Sequence, residues 1–201
     1  MAKPRRVKRW LAGGGAVLLI AVAASSCVGP PWYYMDKYQP AGDAWPRAMP
    51  EAIRPERQIE PHTCGLCCLT SVYRAYGLDP AARRVRYRSG VDKPVINFMP
   101  STRGTIHPDM LRVLRQDGFA AEAMNLKHDA GRVADHLDRG HFAIALVRVN
   151  ELHWVVLCGR RGENVVICDS LREELYEEPM AEYLRDRVYS LVLVEPEPSG
   201  G

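Results

Sequence analysis

Two periods of apolar residues divide the chain near position 140. Before it, apolar side chains recur at helical spacing. Leu66, Leu69, Tyr73 and Tyr76 mark one face of a helix over 64–76, which Gly77 closes. Met110, Leu111 and Leu114 predict a second helix, with Pro108 suited to its first turn and Gly118 just past its end. Val133 and Leu137 predict a third over 129–139, ended by Gly140. Residues 119–124 read as a strand, and residues 78–104, rich in Arg, Pro and Gly, as irregular or short-helical. After Gly140 the period shortens to two. Strands are expected over 141–149, 152–158 and 164–169, joined by turns at Asn150-Glu151 and 159–163. A short helix over 180–187 and a last strand over 189–194 follow. Helices first and strands afterwards predict an α+β fold, with N-terminal helices packed on an antiparallel sheet.

The first 57 residues have another texture. Pro30, Pro31, Pro40, Pro46, Pro50 and Pro55 interrupt residues 27–57, which therefore read as a tether. Ahead of it, a basic stretch ending at Arg9 leads into an apolar run over 10–24 and then Ser25-Ser26-Cys27. That run is shorter than the roughly 20 residues a helix needs to span a bilayer. Small residues before a cysteine resemble the lipobox of bacterial lipoproteins, with Ala24 where leucine is commonest. The resemblance implies a signal peptide over 1–26, acylation of Cys27, and an exported, membrane-anchored chain facing the periplasm or the cell exterior. The folded domain is then 58–196, with a flexible tail over 197–201.

Composition narrows the partners. With 201 residues, 47% hydrophobic and 25% charged, the chain suffices for one domain with a packed core. Its formal charge of +3 is concentrated at the start. Five of the 27 Lys and Arg precede residue 10 and no acid precedes position 27, so beyond residue 26 there are 22 basic residues against 24 acidic ones. Such a balance gives no electrostatic case for binding nucleic acid.

Four residues suggest chemistry. Cys64, in Pro61-His62-Thr63-Cys64-Gly65-Leu66-Cys67-Cys68, stands at the start of the first helix, where unsatisfied N–H groups and the helix dipole favour a thiolate. Gln58, six residues earlier, carries an amide suited to donate to a developing oxyanion. His153 heads the apolar strand Leu152-His153-Trp154-Val155-Val156-Leu157 and needs a polar partner. Asp169 ends the next strand, from which a carboxylate can orient His153. Singly, each has a plain structural reading: a core cysteine, a surface glutamine, a satisfied histidine, a turn aspartate.

Together and in this order, a Gln-x5-Cys-Gly helix start, Gly140-His141-Phe142, His153-Trp154-Val155-Val156 and a strand ending in Asp169 resemble the papain-like double-glycine leader peptidases. The resemblance covers about 58–170 and implies a papain-like cysteine peptidase fold. It implies Cys64 as nucleophile, His153 as base and then acid, Asp169 as orienting group and Gln58 in the oxyanion hole. It also implies a peptide or protein substrate, cleaved after small residues such as Gly-Gly through a thioester, with no metal or organic cofactor. Well-known members are fused to a transporter, whereas this chain carries neither its spans nor a phosphate-binding loop, so a transporter would be a separate partner. Two other readings stay open: a catalytically inactive papain-like peptide-binding lipoprotein, and a thiol–disulfide oxidoreductase using Cys64 and Cys67. Cys68, Cys158 and Cys168 read as core. In a simple hairpin turning near Arg161-Gly162, Cys158 and Cys168 do not face each other.

Overall fold

The computed structural model describes residues 45–96, 99–124 and 130–198. Cys27, the export segment and the first part of the tether lie outside the described residues. Among the described residues no helix is long and apolar enough to cross a membrane. In chain order the elements are α1 (Cys64–Ala75), α2 (Val85–Arg88), β1 (Pro94–Ile96), β2 (Met99–Arg103), α3 (His107–Gln116) and β3 (Phe119–Met124). There follow α4 (Ala130–Asp138), β4 (Phe142–Arg148), β5 (Leu152–Arg161), β6 (Asn164–Cys168), β7 (Tyr176–Pro179), α5 (Met180–Asp186) and β8 (Val188–Pro196).

Strands β3 to β8 form one sheet in the order β3-β8-β4-β5-β6-β7, and each neighbouring pair is antiparallel. Side-chain alternation splits the core into two layers. Phe142, Ile144, Trp154, Val156, Val192 and Val194 meet Leu69, Val72 and Tyr73 of α1 and Met110 and Leu114 of α3. Ala143, Ala145, Val155, Leu157, Leu191 and Leu193 meet Val133 and Leu137 of α4 and Met180 and Leu184 of α5. Both faces are thus dry, and each fully buried Leu, Val or Ile contributes about 1.5–3 kcal/mol.

The expected α+β architecture is present, with three departures. First, residues 78–104 include the hairpin β1–β2, and Tyr176–Pro179 forms the edge strand β7. Both involve short strands with proline, which an apolar period does not reveal. Second, β5 continues to Arg161, which pairs with Asn164, and the register slips between Leu157 and Gly159. Cys158 is the extra residue of this bulge. Its Sγ donates to Val156 O at 3.6 Å and it packs against the core layer that holds Cys168, so the two lie on the same side of the sheet, contrary to the simple-hairpin expectation. Both are free.

Third, residues 45–57, inside the stretch expected to be tether, lie along the domain. Arg47 N–H donates to Tyr76 O at 3.0 Å and Glu51 N–H to Ala75 O at 2.8 Å, which satisfies carbonyls at the C-terminal end of α1. Ile53 is buried in the first core layer, and Glu56 N–H donates to Ser71 Oγ at 3.0 Å. The Trp45 ring lies over Gly118, which has φ +87° and would bring a Cβ to 2.8 Å from the indole. Prolines bar this strap from regular structure without barring it from the surface of the core.

Candidate active site

Helix α1 begins at Cys64, with Thr63 as N-cap and no acidic residue in the first turn. The positive end of the helix dipole therefore falls on the Cys64 sulfur without a competing carboxylate in that turn. Strands β5 and β6 are neighbours with Val156 opposite Cys168. This register brings His153, near the start of β5, to Asp169, the residue after β6. His153 Nε2 donates to Asp169 Oδ1 at 2.7 Å, and the Leu171 N–H donates to the same oxygen at 3.0 Å. The other ring nitrogen, Nδ1, is left for Cys64, whose thiol interacts with the ring. Cys64, His153 and Asp169 thus interact in one line across three elements, the His153–Asp169 link being a hydrogen bond.

The protonation states follow from that line. Burial alone raises the Cys64 thiol, but hydrogen bonds from His153 and the Trp154 N–H, with the imidazolium charge, bring it below its ordinary value. Burial alone lowers His153, but its bonds to Asp169 and Cys64 and their negative charges push it up to about 9. Burial likewise raises Asp169, and the His153 bond, the Leu171 N–H and the His153 and Arg172 charges outweigh it, so the carboxyl stays below its usual range. The arrangement favours a thiolate–imidazolium pair held by a carboxylate.

Gln58 also reaches this region, in a different posture from the one its sequence position suggests. Its Nε2 donates to Glu60 O at 3.0 Å and to Pro61 O at 2.8 Å. Its Oε1 accepts from Ser170 Oγ at 3.1 Å, and its N–H donates to Ser170 O at 2.9 Å. Gln58 therefore ties the turn that enters α1 to the segment after Asp169, with both amide hydrogens in use.

A groove of about 590 Å³ opens over the Cys64 sulfur, walled by Pro61, His62, Thr105, His107, Leu152 and Trp154. Two of these residues carry roles that sequence reasoning missed. The Trp154 backbone N–H helps to lower the Cys64 thiol, and the indole Nε1–H donates to Thr105 O at 3.0 Å, pinning the opposite wall. Standing beside His153 was the only clue to Trp154; Thr105 offered none, since its partner is far along the chain. Gly65 makes the close approach: a Cβ there would lie 2.8 Å from Thr105 Cβ and 3.1 Å from Trp154 Cδ1. Among the described residues, Glu60, His62 and Asp92 have metal-like spacing. Arg86 bonds to both carboxylates, at 2.7 Å to Glu60 and 2.8 Å to Asp92, and supplies the positive charge a cation would bring.

The model of the peptidase C39 family matches residues 53–178. The chain belongs to this family. Its C39 segment takes in Gln58, Cys64, His153 and Asp169, and begins within the strap. No curated protein matches the chain. Among solved structures it is similar to the peptidase domain of Streptococcus ComA, a bifunctional ABC transporter of a quorum-sensing pathway. That likeness is at 16% identity and TM-score 0.56, over 73% of this chain and all of the other. It is also similar to a double-glycine motif protease of an AMS/PCAT transporter in complex with its leader peptide, at 21% identity and TM-score 0.54, over 77% and 99% of the two chains. A C39-like peptidase from Bacillus anthracis aligns at 12% identity and TM-score 0.51, over 73% and 96%. The fold is that of the papain-like C39 peptidase domains.

Proposed function

We propose that this C39 domain is an active cysteine peptidase of the double-glycine type. The observation that carries the reading is Cys64 lining an open groove, its thiol drawn toward the thiolate by His153, which Asp169 holds at 2.7 Å. Cys64 attacks the scissile carbonyl, and His153 Nδ1–H protonates the leaving amine, giving a thioester. His153, now neutral, takes a proton from water, which attacks the thioester and frees the enzyme. Asp169 keeps the ring aimed and stabilises its charged form. The Cys64 N–H at the helix start is one donor to the oxyanion, and Gln58 becomes the second by releasing the carbonyl of Pro61 or Glu60. The substrate is a peptide with Gly-Gly or similarly small residues before the cut. The complex of the related AMS/PCAT protease with a leader peptide supports that class. A transporter encoded separately is the partner suggested by the transporter-borne relatives. Acylation at Cys27 anchors the chain to a membrane and faces the domain to the periplasm or cell exterior.

The test is cleavage of a synthetic peptide containing Gly-Gly by the purified chain, against the same peptide with both glycines replaced by leucine. Cleavage confined to the first peptide, abolished by Cys64→Ala and cut about 10³-fold by His153→Ala, is the expected result. Tight binding of both peptides with no thiol-dependent cleavage would transfer the domain to the peptide-binding reading. For the anchor, the intact mass of the mature N-terminus is decisive. Diacylglycerol on Cys27, and release of a Cys27→Ser variant from the membrane fraction, are expected; an unmodified Cys27 would end that part of the proposal.

A further inference from the structure

Cys64 has a second thiol one helical turn behind it. Cys67 stands at i+3 on α1, in Cys64-Gly65-Leu66-Cys67. That spacing sets the two β-carbons on one face about 5–6 Å apart, so closing a disulfide, which needs about 3.5–4.5 Å, draws in the first turn of α1, whose first N–H groups make no intrahelical bonds. Residues three apart in a helix also have α-carbons inside the roughly 4.4–6.8 Å that a disulfide spans. The two sulfurs are unlike. Cys64 lines the groove and is drawn toward the thiolate by His153. Cys67 is 5% exposed. Burial, eased by a hydrogen bond to Thr63, pushes its thiol up to about 11, and the negative charge of Cys64 is among the causes that raise it. Both are free in the structure. A groove-lining nucleophilic sulfur with a protected thiol behind it is the arrangement that allows an oxidised cysteine to be rescued.

We propose that Cys64 and Cys67 form a reversible oxidation site for hydroperoxides, with Cys64 the sulfur that is oxidised and Cys67 the one that resolves it. The Cys64 thiolate attacks one oxygen of hydrogen peroxide and the O–O bond breaks. The departing hydroxide takes the proton of the His153 imidazolium and leaves as water, with Cys64 now a sulfenic acid. The Cys67 sulfur then attacks the Cys64 sulfur, the S–O bond breaks, and the hydroxide leaves with the Cys67 proton as a second water. Peroxide is reduced by two electrons and two thiols become one disulfide. Loss of the Cys64 charge removes one cause of the high Cys67 pKa, so the second step is favoured by the first. The disulfide shields the nucleophile from further oxidation, and a dithiol returns it. Cys68, at i+4, is turned into the core, where burial holds its thiol far up, and it takes no part.

This inference rests on the activated Cys64 of the proposed peptidase but not on peptide cleavage. The experiment therefore reads sulfur chemistry. Reduced full-length chain is treated with excess hydrogen peroxide, then with dithiothreitol, and Cys64 is labelled with iodoacetamide before and after each step. The peptide between Arg57 and Arg74, which carries Cys64, Cys67 and Cys68, is weighed without reduction. Expected are loss of label, a peptide lighter by two hydrogens, and full return of label with dithiothreitol. Cys67→Ser, checked for native circular dichroism, should label normally when reduced but recover about tenfold less Cys64 after peroxide, as sulfinic and sulfonic acids accumulate. Cys67→Ala serves if the serine variant unfolds, and Cys68→Ala should behave as the parent. Equal recovery in the Cys67 variants, or loss of recovery in Cys68→Ala instead, overturns the proposal. A chain that cleaves peptide but fails this test loses only the oxidation site; one that passes yet cleaves nothing loses only the peptidase.

Discussion

At the scale of single residues, the pH dependence of this site is set by two groups that move in opposite directions. His153 is raised from about 6.5 to about 9. Its contribution to stability is therefore complete below pH 6.5 and lost as pH rises through about 9. Cys64 is lowered, so its contribution is present above the ordinary thiol value and lost as pH falls through the lowered one. The ion pair exists between those limits. Alkylation of Cys64 should accordingly begin well below the pH at which an ordinary cysteine reacts, and should persist above pH 9 because the thiolate survives. Peptide cleavage should fall above about pH 9, because the acid for the leaving amine is gone. Superimposable profiles for the two reactions would count against His153 as proton donor. Asp169→Asn is a second residue-scale case. Both hydrogen bonds to Asp169 arrive at Oδ1, which asparagine retains, so only the charge is lost. Activity is expected to drop by as much as about 10⁴-fold, and the upper limb of the residual cleavage profile should move to lower pH. An unmoved limb would mean that the carboxylate charge does not hold up the His153 pKa.

At the scale of elements, the site depends on how closely α1 approaches the loop before α3. Gly65 permits that approach, and the Trp154 indole bond to Thr105 fixes it. Gly65→Ala must displace Thr105 or Trp154, since a Cβ has no room, and Trp154 carries the N–H that serves Cys64. A displacement near 1 Å at the nucleophile is expected to lower kcat/KM about 10²-fold, with a fall in thermal stability from overpacking. Wild-type kinetics in Gly65→Ala would show the groove wall to be soft. Much of this element-level frame is legible in the sequence. The helix start at Cys64 follows from Pro61 and the apolar spacing behind it, and the nearness of His153 and Asp169 follows from two consecutive strands. What escapes is set by long-range contacts. The last strand inserts between β3 and β4, which no local pattern encodes. The extra residue at Cys158 changes a register rather than a period. The posture of Gln58 depends on Ser170, more than a hundred residues away.

At the scale of the whole molecule, the strap of residues 45–57 decides where the stable domain begins. Proline content alone would cut the chain at 58, and that cut removes more than linker. It takes away Ile53, whose burial contributes about 1.5–3 kcal/mol. It also takes away the N–H donors of Arg47 and Glu51 to the last carbonyls of α1, each contributing about 1 kcal/mol. The Trp45 ring would leave Gly118, and its Nε1–H would leave Glu197 O. A loss of about 3–5 kcal/mol corresponds to roughly 10 °C in a domain of this size. A chain beginning at residue 45 should therefore melt about 10 °C above one beginning at 58 in the same buffer. The catalytic line should be far less affected. Helix α1 has 12 residues and is about 18 Å long, and Arg47 and Glu51 bind at the end remote from Cys64. Cys64 alkylation rates at 25 °C are thus expected to agree within about twofold between the two chains, because the folded fraction of each stays near unity. Equal melting temperatures would reduce the strap to a surface decoration. A large loss of Cys64 reactivity at 25 °C in a still-folded shorter chain would instead mean that the strap acts on the site, through the bond from Glu56 to Ser71.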